Sequence, residues 1–215
     1  NMNKKRKSGI LLHPTSLPGK YGIGTLGKEA YAFVDFLIRS GQSLWQVCPL
    51  GHTGYGDSPY QCFSAFAGNP LLIDLEILVQ KNLLTLNDIK PADFSEDSID
   101  YGKVVQWKFP ILEKAFESFS RNLNTTANAK FNNFIIKNND WLTDYALFMS
   151  IKDEFGGKSW FNWDEDIRLR KPEALKYYSE KLANKVKFYQ FLQYEFSQQW
   201  LDLKAYANSN FIQII

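Results

Sequence analysis

Two short apolar runs near the start of the chain, Gly9-Ile10-Leu11-Leu12 and Leu44 to Leu50, enclose a segment of helical period. Ala30, Phe33, Val34, Leu37 and Ile38 recur at the spacing of one helix face between Lys28 and Ser40, and Gly41 stands where a left-handed cap would end that helix. Strand, helix and strand joined by short connections make a crossover unit, which forces the two strands to run parallel. Continuous apolar character in both runs further implies strands buried on both faces. A third such run, Phe211-Ile212-Gln213-Ile214-Ile215, closes the sequence. The fold class expected is therefore α/β, the N-terminal portion of a (β/α)8 TIM barrel with a mainly helical insertion after the second strand.

The region between the second and third runs supports that insertion. Pro70 to Leu75 reads as extended, leading into a short helix near Glu76 to Lys81, and Asn82 to Ser98 is polar and irregular. From Tyr101 the pattern turns helical, with Val104, Trp107, Ile111, Ala115 and Phe119 on one face and Pro110 as a kink or break. Phe131, Phe134 and Ile135 mark another helix, and Trp141, Tyr145, Phe148 and Met149 a further one, stopped at Gly156-Gly157. Lys158 to Arg170 shows no period. A long amphipathic helix is expected from about Glu173 or Lys181 to Asn208. The organisation predicted is residues 1–75 as the first two strands, first helix and a ligand-facing loop, 76–180 as the helical insertion, and 181–215 as a barrel helix with the start of a third strand. A parallel strand with no covering helix after it suggests a truncated barrel.

Composition excludes several classes. A net charge of +2 gives no electrostatic case for nucleic acid, and the cluster Lys4-Lys5-Arg6-Lys7 is short and terminal. No apolar stretch is long enough to span a membrane. Cys48 and Cys62 are two thiols in a long chain, a pattern of a reducing compartment, and a cytoplasmic location is expected. With only His13 and His52 to join them, no metal-ligand spacing recurs, so neither metal nor other cofactor is called for. Gly22, Gly24 and Gly27 spell a dinucleotide-binding glycine pattern by letter. They fall well past the first strand, after a proline loop, instead of in the tight strand-to-helix turn that motif requires.

The loop after the second strand carries the chemistry. Gly54-Tyr55-Gly56-Asp57-Ser58-Pro59-Tyr60-Gln61 combines two flat aromatic rings with hydroxyl, carboxylate and amide groups. Rings suit the C–H face of a pyranose, and the polar groups suit its hydroxyls. The bland reading is an ordinary turn, since turns favour Gly, Pro, Asp and Ser. His13 lies at the C-terminal end of the first strand, the edge where barrel enzymes place their chemistry, and could equally be a structural histidine. Trp45 and Trp107 read as core.

Taken together, His13-Pro14-Thr15-Ser16-Leu17-Pro18, Tyr21-Gly22-Ile23-Gly24, Trp45-Gln46-Val47-Cys48-Pro49-Leu50-Gly51, the tyrosine loop, and Ser64-Ala65-Phe66-Ala67-Gly68-Asn69-Pro70 resemble the N-terminal signature of the 4-α-glucanotransferases. These are the amylomaltases, or disproportionating enzymes, relatives of the α-amylase barrels. The resemblance continues through Asp100-Tyr101-Gly102 and Trp141 to Phe148. It implies a retaining transfer of α-1,4-glucan segments between maltodextrins, with glucose as an acceptor, by double displacement on two carboxylates. It also implies that the nucleophilic Asp, the acid/base Glu and a supporting Asp lie on later strands, leaving no catalytic residue in these 215 positions. Asp57 and Asp74 match neither catalytic carboxylate. Tyr60 matches the tyrosine under the sugar at the cleavage point. Ser58, Asp57, Gln61 and His13 are further substrate-binding candidates, and Tyr55 matches a tyrosine of a secondary glucan groove. A non-catalytic α-glucan-binding fragment and an α-glucan hydrolase are the alternatives.

Overall fold

The structure, a computed structural model, describes residues 6–53, 58, 60–121 and 125–215. It forms two compact units, one of Asn1–Arg121 with Glu195–Ile215, the other of Asn122–Tyr194.

The first unit is built on a parallel three-stranded sheet in the order β1-β2-β3, with β1 at Gly9–Leu11, β2 at Leu44–Gln46 and β3 at Gln213–Ile214. Gly9 aligns with Leu44 and Leu11 with Gln46, while Leu44 also aligns with Gln213. The strands approach so closely at Gly9 that a Cβ there would strike Leu44. Helix α1, Lys28–Arg39, makes the crossover and buries Ala30, Val34 and Leu37 of the predicted face, with Phe33 half-buried and Ile38, near the helix end, exposed. Trp45 is fully buried and donates its indole N–H to the Leu12 carbonyl at 2.7 Å, tying β2 to the end of β1. Burial on both faces does not hold for β1: Leu11 is 60% exposed. It fails at Gln46 of β2 as well, which is in register with Leu11, so among the described residues the face carrying Leu11 and Gln46 is left uncovered while the face carrying Trp45 is packed.

Pro70–Leu72 is a 3-10 turn, where an extended segment was expected, because the Asn69 side chain accepts from the Leu71 N–H at 3.0 Å and caps it. Helix α2, Leu75–Gln80, follows. Helix α3, Tyr101–Arg121, runs through Pro110 without a break. Its buried stripe of Val104, Leu112, Ala115 and Phe119 holds the helix together where proline removes one backbone donor. Lys108 lies on that same buried stripe, a position that the expected face of Trp107 and Ile111 missed. Ile23, Leu71 and Val104 form one core cluster of this unit, flanked by Phe94, Ile99, Tyr101 and Phe109.

The second unit is helical: α4 at Thr125–Lys137, α5 at Leu142–Glu154, α6 at Glu165–Arg168 and α7 at Pro172–Lys181. Helix α8, Ala183–Ser209, contributes its first part here and its remainder to the first unit. Of the two starts expected for the long helix, about Glu173 or Lys181, the later one holds: α7 ends at Lys181 with Leu182 as its cap, and α8 follows from Ala183. From Phe188 to Phe196 every residue of α8 is buried, so this stretch is enclosed all round and not amphipathic. Lys158 to Arg170, expected to be irregular, contains a 3-10 turn at Trp160–Asn162 and the short α6. Its organiser is Trp163, buried with Leu147, Ile151 and Ile167. Among the described residues no helix is long and apolar enough to cross a membrane.

Candidate functional site

Parallel strands deliver their C-terminal loops to one edge of the sheet. At that edge β1 runs into His13 and a 3-10 turn at Pro14–Ser16, and β2 runs into the loop holding Tyr60. The Leu12 N–H still reaches the Gln46 carbonyl at 3.0 Å, so the two chains leave the sheet side by side.

The β2 loop is drawn closed at its base. Gly51 faces Gly68, Thr53 faces Cys62, and the Asn69 N–H donates to the Leu50 carbonyl at 2.7 Å. Both glycines are demanded by packing: a Cβ at Gly51 would press the Cys62 sulfur, and one at Gly68 would enter the Phe196 ring. Tyr60 is 75% exposed, its N–H donating to Ser58 Oγ at 3.3 Å and its hydroxyl to Cys48 Sγ at 3.9 Å. The Gln61 N–H donates to the Ser58 carbonyl at 3.1 Å. Ser58, Tyr60 and Gln61 therefore form one short turn carrying a presented ring beside a hydroxyl and an amide. Asp57 and Tyr55 lie outside the described residues. Cys48 is the contact that reading the sequence missed, because a thiol in an apolar run gives no sign that it meets a tyrosine hydroxyl.

His13 is half-buried, and burial holds its imidazole below the ordinary histidine range. Its Nδ1 is enclosed with no hydrogen-bond partner among the described residues. A neutral ring with an unmatched buried nitrogen is costly unless something meets it.

Asp74 serves the frame. Its carboxylate accepts from Thr25 Oγ1 at 2.6 Å and from the Ile77 N–H at 3.0 Å, capping α2. Its own N–H donates to Gln199 Oε1 at 2.7 Å, and the Gln199 amide returns a bond to its carbonyl at 3.2 Å. A Cβ at Gly27 would collide with that carboxylate. Gly27 is thus a packing glycine at the start of α1, and Gly24 is another, packed against the Pro14 and Leu17 backbone. Nearby, the fully buried Lys108 amine donates to the Leu71 carbonyl at 2.6 Å, and desolvation pulls its pKa down to about 7 against the opposing pull of Asp74.

The α/β frame gathers strand-end loops at one edge, the edge where ligands of parallel α/β sheets bind, and one of those loops presents an exposed tyrosine among small polar groups. Residues 12–215 match the family model described as 4-alpha-glucanotransferase, and the chain belongs to that family. It is 50% identical over 216 residues to the 4-alpha-glucanotransferase of Streptococcus pneumoniae serotype 4, covering 99% of this chain and 42% of that protein. The Thermus thermophilus 4-alpha-glucanotransferase is 46% identical over 214 residues, with 100% and 42% covered. Among solved structures, the amylomaltase from Streptococcus agalactiae in complex with acarbose superposes with a TM-score of 0.93 at 45% identity, covering 98% of this chain and 42% of that one. The chain spans about two fifths of the length of these relatives.

Proposed function

We propose that this chain is the N-terminal part of a retaining 4-α-glucanotransferase, and that it builds one wall of the sugar site. In this reading the three parallel strands are the opening strands of a (β/α)8 barrel, and the second unit belongs to its helical insertion. The substrates are α-1,4-glucans and maltodextrins, with glucose as an acceptor. The bond-breaking carboxylates belong to strands outside these 215 residues. One carboxylate attacks the anomeric carbon while a second protonates the departing oxygen; the 4-hydroxyl of an acceptor sugar then displaces the enzyme and gives its proton to that second group.

The residues here bind and orient. Tyr60 supplies a flat face for the sugar at the cleavage point. Ser58, Gln61, Asp57 and His13 meet its hydroxyls. Tyr55 serves a second stretch of glucan. The observation that carries the reading is the family match over residues 12–215, supported by a Tyr60 ring left open to solvent at the C-terminal edge of the strands.

Incubating the protein at its full natural length with maltotriose should yield glucose and longer maltodextrins, whereas the 215-residue chain alone yields neither. Turnover by the 215-residue chain would overturn the placement of catalysis beyond it. In the full-length protein Tyr60→Ala should weaken acarbose binding on the order of tenfold or more; unchanged affinity would remove Tyr60 from the site.

A further inference from the structure

The helical unit carries a second surface with the chemistry of a sugar platform. Trp160 and Phe161 sit on a single 3-10 turn, and both are left open to solvent, at 53% and 59% exposure. Large rings in a helical bundle are ordinarily the first groups to be buried, so two adjacent exposed ones on an ordered turn are unusual. The turn is well anchored from below. The Trp163 N–H donates to the Trp160 carbonyl at 3.1 Å, and the Asn162 N–H to the Ser159 carbonyl at 2.9 Å. Trp163 itself is buried, stacked on Phe155 at 5.7 Å, with its indole N–H on the Lys158 carbonyl at 3.2 Å.

Beside Trp160 is a cavity of about 300 Å³, floored by Leu147, Phe148, Ile151 and Trp163. That is the small end of ligand sites, with room for one or two hexose rings. Its rim is charged: Arg170 donates to both carboxylate oxygens of Asp144 at 3.0 and 3.1 Å, and Arg168 donates to the Phe161 carbonyl at 3.5 Å. A fatty chain would leave this charged rim without purpose. A pyranose uses both parts, its C–H face against the indole and its vicinal hydroxyls against the carboxylate and the spare guanidinium N–H groups.

Ring orientation selects among sugars. The Trp160 and Phe161 planes stand 78° apart with centroids separated by 6.3 Å. A β-1,4-glucan is a flat ribbon that suits coplanar platforms, whereas an α-1,4-glucan curls, turning each sugar relative to the last. Rings set at an angle match the curled chain.

We propose that Trp160, Phe161, Asp144 and Arg170 form an accessory α-1,4-glucan-binding site on the helical unit, separate from the Tyr60 loop. It rests on the reading of this family member as an α-glucan enzyme and adds a foothold for long chains beyond those of the Tyr60 loop and Tyr55.

The test is native gel electrophoresis of the full-length protein through gels with and without amylopectin. Wild type should be retarded by amylopectin, Trp160→Ala should lose most of the retardation that remains in a Tyr60→Ala background, and Trp160→Phe, which keeps a flat ring, should retain it. Competition by maltoheptaose but not by cellohexaose should release the protein. Retardation unchanged by Trp160→Ala, or lost entirely in Tyr60→Ala alone, would overturn the accessory site while leaving the functional reading standing. So would a wild type that interconverts maltotriose yet runs unretarded. Retardation that depends on Trp160 but is indifferent to Tyr60→Ala would uphold this site and count against the loop. Thermal melting of each variant identifies any loss that is merely unfolding.

Discussion

Asp74 and Tyr60 stand at opposite extremes of bonding within the same unit. Asp74 is buried, and its side chain and backbone together make four hydrogen bonds, to Thr25, to the Ile77 N–H and twice with Gln199. Tyr60 is three-quarters exposed, with one weak contact from its hydroxyl to a sulfur. A buried carboxylate whose two oxygens each hold a partner, Thr25 Oγ1 and the Ile77 N–H, is tied into the fold, so its contribution is to hold α1, α2 and α8 in register. A presented ring with few partners contributes little to folding and leaves its face open. Two conspicuous residues thus differ in how fully their polar groups are matched: one belongs to the frame, and the other is the contact in the function proposed above.

The sharpest way to break this contrast is at the frame. Asp74→Ala removes the cap of α2, orphans the Thr25 hydroxyl and withdraws the negative charge near Lys108, and should cost about 3 kcal/mol. Melting should fall by roughly 6–12 °C for a chain of this size; an unchanged midpoint would show that Asp74 is free for other work. Gly68→Ala comes next. Its methyl must enter the Phe196 ring, an overpacking cost of about 2 kcal/mol that chemical denaturation would read. If the variant is as stable as wild type, the base of the loop is looser than its geometry shows.

Lys108 tests the frame through pH. Its amine titrates at about 7 in the fold and near 10.4 when unfolded. Between those values the unfolded chain holds a proton that the folded chain has released, so stability rises with pH across that window and the rise is absent below it. Relative to Lys108→Met, wild type should gain about 1 kcal/mol between pH 7 and 8, seen as a widening difference in melting temperature. Parallel pH profiles would mean that the amine is not desolvated.

The sequence made the parallel sheet and its crossover helix legible because apolar runs and helical spacing report burial directly, and Ala30, Val34 and Leu37 are all inside. It could not show the continuity of α3 through Pro110, since a proline's local penalty is overridden by the buried stripe from Val104 to Phe119, which only packing reveals. The break at Leu182 carries no glycine or proline, so the sequence left the start of the long helix open between Glu173 and Lys181. Lys108 has the letter of a surface residue and the place of a core one. The tyrosine loop stood out by composition, whereas the proposed platform at Trp160 did not, because Asp144 and Arg170 lie 26 positions apart and meet only after α5 and α6 form.

The smallest effect lies at the contact end of the comparison, where Cys48 meets Tyr60. The hydroxyl-to-sulfur distance of 3.9 Å is that of a weak bond, and that bond is the leading cause that raises the Tyr60 pKa. A sulfur acceptor orients the phenol without gripping it, so Cys48→Ala should leave melting unchanged and weaken acarbose binding by the full-length protein by no more than about threefold. Cys48→Ser restores an acceptor on a shorter reach and should recover part of that loss. Isothermal titration of the three proteins with acarbose decides it. Equal affinities would mean that the ring is oriented by Ser58 and the turn alone, whereas a loss as deep as that of Tyr60→Ala would move Cys48 from a support of the ring into the sugar contact itself.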